Sequence, residues 1–158
     1  MTNADAVMEQ RVSCVVICVD DVPLARQFYE AMGWRQSPLS REIIPLFNVN
    51  GFVFMISPRR LGAEEAFGSP LPPQVEEAVK NPPAFAGVVL SYVVRDEDEL
   101  KKIFDKVVIH GGRILSAPRE LPFGNFAGYF ADPVGTIWEV SLTRRTKLQP
   151  NGNFQIGE

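Results

Sequence analysis

The chain has 158 residues, 46% of them hydrophobic, and a formal net charge of −3 from 16 basic and 19 acidic residues. This length predicts one compact domain with a full core, and the charge gives no support to nucleic-acid or membrane-surface binding, both of which require a basic surface. The two cysteines, Cys14 and Cys18, lie in one extended segment about 13 Å apart at ~3.3 Å per residue, which is too far for a disulfide.

The first part of the chain predicts a β-α-β-β-β unit. Val12–Val19 is a β-branched apolar run typical of a central strand, and Asp20-Asp21 offers a helix N-cap after it. An apolar helical stripe follows at Leu24, Phe28 and Met32. Gly33 ends this helix. Strand-like segments come next at 34–37, 43–48 and 51–57, with the Asn50-Gly51 dipeptide as a hairpin turn before the last one.

Residues 58–85 differ in composition from the segments on either side. Six of the 13 prolines fall here, together with Gly62 and Gly68. Such a stretch is typical of a connector, because proline and glycine interrupt regular hydrogen bonding. Only short helical pieces are expected in it, and Gln74–Lys80 is the best of them.

The pattern then repeats. Ala86–Val94 predicts a strand, and Asp96 followed by Glu99 predicts the start of a second amphipathic helix, which Gly111-Gly112 ends. Strands are expected at 113–116, 125–130 and 136–142. An internal repeat constrains the whole architecture. The chain is therefore predicted to consist of repeat 1 (about 12–57), the connector (about 58–85), repeat 2 (about 86–143) and a polar tail (144–158).

Short motifs in both units resemble those of one family. They are the Phe28-Tyr29 pair, Gly33 followed by Trp34, and the run Gly128–Val140 (GYFADPVGTIWEV). In this order and this duplicated frame, Val12 to Thr143 resembles the vicinal oxygen chelate superfamily, which includes glyoxalase I, bleomycin-resistance proteins and extradiol dioxygenases. The resemblance implies an α+β fold of two tandem βαβββ units, in which two half-barrels face each other across a cleft.

Metal-dependent members of this family hold one divalent ion on four side chains from the first and last strands of the two units. Aligning the units places these positions at Cys14, Met55, Val89 and Glu139. Only Glu139 is a standard hard ligand, because valine cannot donate and a thioether suits soft ions. No metal site and no other cofactor is therefore predicted, and the alternative is an unusual divalent-metal site built on Glu139.

The implied cleft is mostly apolar with a few polar groups, which is the usual composition of a small-molecule site. Glu139 is the candidate catalytic residue, since a carboxylate in this setting is suited to act as a general base. Phe123 and Tyr129 belong to a glycine-rich segment that resembles the rim of the family's cleft. The predicted ligand-binding residues are Cys14, Val16, Met55, Ser57, Val89, Ser91, Phe123, Tyr129, Ile137 and Glu139.

Three classes of function follow from this interpretation. The first is a protein that binds a small, largely apolar molecule without the family's metal. The second is an enzyme of the lyase, isomerase or dioxygenase type that acts on a small carbonyl or aromatic substrate, with Glu139 as base or metal ligand. The third is a partner-binding remnant whose cleft has filled in.

A homodimer is expected, because half-barrels expose strand edges that need to be covered. Whether the two units face each other within one chain or across the dimer stays open. The N-terminal residues show no basic region followed by an apolar run, so no signal peptide is predicted. The expected location is the cytoplasm.

Overall fold

The computed structural model describes residues 8–144, 146 and 148–156. Residues 1–7, where no signal peptide is predicted, and residues 145, 147, 157 and 158 of the predicted tail lie outside it. The strands are β1 (Cys14–Val19), β2 (Leu46–Val49), β3 (Phe52–Pro58), β4 (Leu90–Val93), β5 (Arg113–Glu120), β6 (Asn125–Ala131) and β7 (Ile137–Thr143). The helices are α1 (Val22–Ala31), α2 (Arg59–Phe67), α3 (Pro73–Lys80) and α4 (Glu97–Ile109). In the described part of the chain, no helix has the length and apolar character needed to cross a bilayer.

The strands form two sheets with matching topology, which confirms the predicted α+β fold. The first sheet has the order β1-β3-β2 and the second has the order β4-β7-β6-β5. In each sheet the first strand of the unit pairs in parallel with the last one, and the remaining pairs are antiparallel. Each sheet is therefore built from one repeat.

The predicted strand at 34–37 is wrong, and the first sheet has three strands instead of four. Within residues 34–37, only Gln36 makes a bridge, and it pairs with Phe47 on the outer edge of β2. Pro38 and Pro45 flank the pairing segment, and proline has no N–H to donate to a strand ladder. The edge strand is thereby reduced to a single bridge.

The predicted helix starts and hairpin turn are confirmed. The Asp21 carboxylate accepts a hydrogen bond from the Leu24 N–H at 2.8 Å, and Asp96 accepts one from the Glu99 N–H at 2.8 Å. Asn50 and Gly51 have φ values of 46° and 102°, the positive region that a tight two-residue hairpin requires. These features depend on local chemistry, so the sequence alone predicts them well.

The second repeat's first strand starts later than predicted. Residues 86–89 are not part of a strand, and β4 begins only at Leu90. Gly87 adopts a φ of 85°, which interrupts extended backbone geometry. Val89 therefore lies one residue before the strand on which it was predicted.

The connector contains a helix that the sequence did not indicate. α3 matches the predicted helical piece, but α2 spans nine residues and packs on the first sheet. A Cβ built on Gly62 would lie 2.4 Å from the Cys18 Sγ, so the bare backbone of α2 rests directly on that side chain. Burial there raises the pKa of the Cys18 thiol. Ser57, beside it, is only 3% exposed.

The two units pack back to back through a shared aromatic core. The rings of Phe54 in β3 and Trp138 in β7 have centroids 6.2 Å apart. The buried Tyr29 hydroxyl joins the units further, since it donates to Asp132 Oδ2 at 2.6 Å and accepts from Trp138 Nε1 at 3.1 Å. Because side chains alternate along a strand, the residues next to Phe54 and Trp138 point to opposite, outward sides of the molecule.

These outward sides are called the first and second outer faces. The first outer face belongs to β1 and β3 and carries Cys14, Val16 and Met55. The second outer face belongs to the second sheet and carries Ser91, Tyr129 and Glu139. All of these residues are exposed or half-buried.

Candidate functional site

The structure divides the predicted site residues between the two outer faces. On the first outer face, Val16 of β1 pairs with Met55 of β3, and Cys14 pairs with Val53. Val16 is 47% exposed, and β1 lies at the edge of its sheet rather than in the central position that its apolar run predicts. Ser57 continues this face but is buried beneath α2. The first outer face is thus an apolar surface with little hydrogen-bonding capacity.

The second outer face brings three predicted site residues into one hydrogen-bonded row. Glu139 lies between Ser91 of β4 and Tyr129 of β6 in the strand register. The Ser91 hydroxyl donates to Glu139 Oε1 at 2.9 Å, and the Tyr129 hydroxyl donates to Glu139 Oε2 at 2.6 Å. Ile137 precedes this row on the same strand and is half-buried. The carboxylate is therefore held by two hydroxyl groups and not by apolar neighbours alone.

The charge of Glu139 acts on its tyrosine neighbour. The hydrogen bond to the Glu139 carboxylate, followed by burial and by the negative charge itself, raises the pKa of Tyr129, and Arg119 opposes this shift. Tyr129 therefore stays protonated at neutral pH and acts as a donor. Its partner has to accept, which Glu139 Oε2 does.

Ser116 and Arg119 extend this row, and the sequence reasoning missed both of them. Ser116 of β5 pairs with Tyr129 in the register, and Arg119 Nη1 donates to the Ser116 hydroxyl. The ladder between β5 and β6 shifts on both sides of Ser116. Simple alternation along the sequence therefore fails at this strand, and only the register places Ser116 beside the site.

Two other predicted site residues, Val89 and Phe123, lie at the margins of the second outer face. Val89 is 40% exposed just before β4. Phe123 is 82% exposed in the turn between β5 and β6, where the Gly124 N–H donates to the Leu121 carbonyl at 3.0 Å. The structure places Phe123 in solvent rather than against the hydrogen-bonded row.

The four family metal positions do not fit a metal ion in this chain. Cys14 and Met55 lie on the first outer face, whereas Glu139 lies on the second, on the opposite side of the aromatic core. Valine at 89 supplies no donor atom, and methionine at 55 supplies only a soft thioether. Within the ranges that the structure describes, no group of three or more His, Cys, Asp or Glu side chains is placed to hold a metal ion.

Comparisons with known proteins agree with this architecture. The family model described as Glyoxalase/Bleomycin resistance protein/Dioxygenase superfamily matches residues 11–140. No curated protein matches the chain.

Many solved structures share the fold. A glyoxalase-related enzyme from Fulvimarina pelagi is 23% identical with a TM-score of 0.79, covering 95% of this chain and 100% of that chain. A glyoxalase/bleomycin resistance protein/dioxygenase from Nocardioides is 18% identical with a TM-score of 0.68, covering 97% and 93%. A lactoylglutathione lyase from Agrobacterium tumefaciens is 15% identical with a TM-score of 0.60, covering 85% and 95%. At these identities the likeness shows the fold alone.

Proposed function

This chain belongs to the glyoxalase/bleomycin resistance protein/dioxygenase superfamily, and we propose that it binds a small, largely apolar molecule on its second outer face without the family's metal. The observation that carries this proposal is the Glu139 carboxylate, held at 2.9 Å by Ser91 and at 2.6 Å by Tyr129 on an accessible sheet face. A positioned polar group beside apolar surface is the usual pattern of a small-molecule site.

The chemistry of the row limits the ligand. Both oxygens of Glu139 keep free lone pairs after accepting one hydrogen bond each, since an ionised carboxylate offers about four acceptor sites. A ligand that donates from an amine, amide or hydroxyl group is therefore favoured over an anion. Val89 and Ile137 supply apolar surface beside the row for the ligand's hydrocarbon part.

The cleft of this proposal is completed by a second copy of the chain. The two outer faces of one chain lie on opposite sides of the core, so the first outer face of one protomer would cover the second outer face of its partner. Two observations support this arrangement: β1 and β4 are sheet-edge strands, and Val16 exposes 47% of its surface. Both features are liabilities in an isolated protomer.

A second candidate is acid–base catalysis on a small carbonyl or aromatic substrate. The short Tyr129–Glu139 hydrogen bond favours it, because it fixes a carboxylate and a protonated hydroxyl side by side. In this reaction Glu139 accepts a proton from the substrate, and the Tyr129 hydroxyl, which donates its one proton to Glu139 Oε2, holds the carboxylate in place. A limb in the rate–pH profile that disappears in Glu139→Gln would favour this candidate over simple binding.

The binding proposal is tested by thermal shift with three matched probes, benzylamine, benzyl alcohol and benzoate. A ligand that binds the native state raises Tm by mass action. We expect a larger rise with benzylamine than with benzyl alcohol, and we expect Glu139→Gln to abolish this preference while leaving the response to benzoate unchanged. Glu120→Gln, an exposed β5 residue paired with Arg144, is the matched control and should behave as wild type. Equal benzylamine shifts in wild type and Glu139→Gln would refute the role of Glu139.

The proposal that the protein binds its ligand without a metal is tested by elemental mass spectrometry on protein purified without chelators or a metal-affinity tag. We expect no stoichiometric metal in wild type. One metal per chain that disappears in Glu139→Gln would overturn this part of the proposal.

The dimer is tested by light scattering after size exclusion, with a protomer mass of 17.6 kDa. Val16→Glu should convert a dimer into a monomer, because it places a charge in the contact. Leu39→Glu, at a residue 78% exposed outside both outer faces, is the control. A wild-type protein that is already monomeric would contradict the composite cleft.

A further inference from the structure

A cavity lies between the two units. It has a volume of about 960 Å³, within the range of small-molecule sites. Its walls come from all three strands of the first sheet, from β4 and β7, from the segment after α1, and from the C-terminal residues of the described chain. Aromatic rings from several of these segments line it, among them Trp34, Phe52, Tyr92, Trp138 and Phe154. A smaller pocket of about 100 Å³ shares Trp34, Tyr92 and Trp138 with it.

The C-terminal segment forms one wall of this cavity by defined contacts. Asn50 Nδ2 in the β2–β3 hairpin donates to Asn153 Oδ1 at 2.9 Å. A turn holds the segment in shape, since the Gly152 N–H donates to the Gln149 carbonyl at 2.9 Å and the Gln149 N–H donates to the Asn153 carbonyl at 2.9 Å. Phe154 follows this turn and lines the cavity. The wall is therefore part of the fold.

The charge of the lining has one sign. Among the residues that the structure describes, Arg35 and Arg95 are the charged residues of the lining, and no described Asp or Glu belongs to it. Arg95 has an acidic neighbour outside the lining, since its guanidinium lies 3.9 Å from Glu99. Arg35 makes no ion pair with any residue that the structure describes. A guanidinium with free donors beside aromatic rings is suited to a carboxylate on an aromatic molecule.

We propose that this cavity binds a small aromatic carboxylate, with the carboxylate on Arg35 and the ring between Trp34, Tyr92 and Phe154. This site does not depend on the proposed function, because its binding groups are Arg35 and aromatic rings and it selects the opposite charge. Ser91, which donates to Glu139, is the one residue of the hydrogen-bonded row that also lines the cavity. The second outer face selects hydrogen-bond donors through Glu139, whereas this cavity selects anions. The two sites would therefore respond to different ligands and different substitutions.

The test uses 4-phenylbutyrate and its uncharged counterpart 4-phenylbutan-1-ol. Both tryptophans of the chain line the cavity, so their fluorescence reports occupancy directly, and calorimetry supplies the affinity. We expect 4-phenylbutyrate to bind with a Kd on the order of 0.1 mM, as a ligand of about a dozen heavy atoms does. The alcohol should bind about tenfold more weakly, because it lacks the charge-assisted hydrogen bonds.

Matched variants separate this site from the rest of the surface. Arg35→Gln should weaken 4-phenylbutyrate about tenfold and leave the alcohol unchanged, whereas Arg41→Gln, an exposed arginine outside the lining, should change neither. Phe154→Ala should weaken both probes, and Phe67→Ala, an exposed ring at the end of α2, should weaken neither.

Three results would overturn the proposal: no binding of 4-phenylbutyrate, equal binding of acid and alcohol, or equal binding in Arg35→Gln and wild type. Glu139→Gln distinguishes the two sites. It should abolish the benzylamine response and leave 4-phenylbutyrate binding intact, so either site can fail without the other.

Discussion

The buried Tyr29 hydroxyl links the two units, and removing this one oxygen atom tests how much the link contributes to stability. Tyr29→Phe removes only the hydroxyl that donates to Asp132 at 2.6 Å and accepts from Trp138 Nε1 at 3.1 Å. Losing the hydrogen bond to the Asp132 carboxylate costs about 1.5–3 kcal/mol, because the acceptor is charged. Losing the other leaves the buried Trp138 N–H without this partner, which costs about 1 kcal/mol. We therefore expect a loss of about 3 kcal/mol in the free energy of unfolding. In urea, with an m-value of ~2 kcal/mol/M, the midpoint should fall by about 1.5 M.

The same variant should show a defined pH dependence. Burial raises the pKa of Asp132 from its ordinary value of 3.8, and the Tyr29 hydroxyl opposes that shift. A carboxyl group with a raised folded-state pKa contributes stability below its unfolded pKa and loses it as pH rises through the folded pKa. Tyr29→Phe raises this pKa further, so its cost is largest at neutral pH. The cost should shrink as pH falls toward 3.8, because a protonated Asp132 no longer needs the lost donor.

Tyr92→Phe is the matched control. Its hydroxyl is 3.4 Å from Glu99 and the residue is 39% exposed, so the expected change is within about 0.5 kcal/mol. Equal midpoints for the two variants at neutral pH would refute the reasoning. So would a Tyr29→Phe cost that stays constant or grows on acidification.

Three further predictions concern single contacts. Glu139→Gln should lower the pKa of Tyr129 toward its ordinary value of 10.0, because the charged acceptor is lost, and an ultraviolet titration of the three tyrosines checks this. Gly128→Ala should destabilise the fold by about 2–3 kcal/mol in urea unfolding, since its Cβ would lie 2.6 Å from a ring carbon of α4 and 2.9 Å from a backbone nitrogen of β5. Arg60→Gln should raise the pKa of Glu76 from about 2 toward 4.5, because its guanidinium is the main cause of the shift, and carboxyl NMR titration measures it.

The sequence predicts well those features that neighbouring residues determine. The Asp21 and Asp96 caps and the Asn50-Gly51 turn all depend on chemistry within a few residues of the chain. Each was identified from residue type and spacing, and the structure confirms each. The row on the second outer face was also partly predictable, since alternation along β7 places Glu139 opposite to Trp138.

The features that the sequence did not predict depend on distant contacts. α2 has no strong apolar stripe, and its helix is supported by the packing of Gly62 on Cys18 and by the Arg60–Glu76 hydrogen bonds to α3 at 2.7 and 3.1 Å. Its proline-rich surroundings indicated a connector, because proline and glycine interrupt regular hydrogen bonding. Ser116 was missed for a related reason, because the register shift in β5 cannot be read from alternation.

The back-to-back packing determines how the predicted cleft can exist. Uniting both outer faces within one chain would require separating Phe54 from Trp138 and breaking the buried Tyr29–Asp132 hydrogen bond. That would expose a core of large aromatic rings, each of which contributes about 1.5–3 kcal/mol through burial. A cleft between the faces would therefore require two chains, as we propose, and the second outer face is the part that one chain would supply. Val16→Glu separates these cases: it should weaken benzylamine binding if the partner covers the ligand, and should leave it unchanged if Glu139 and its row bind the ligand unaided.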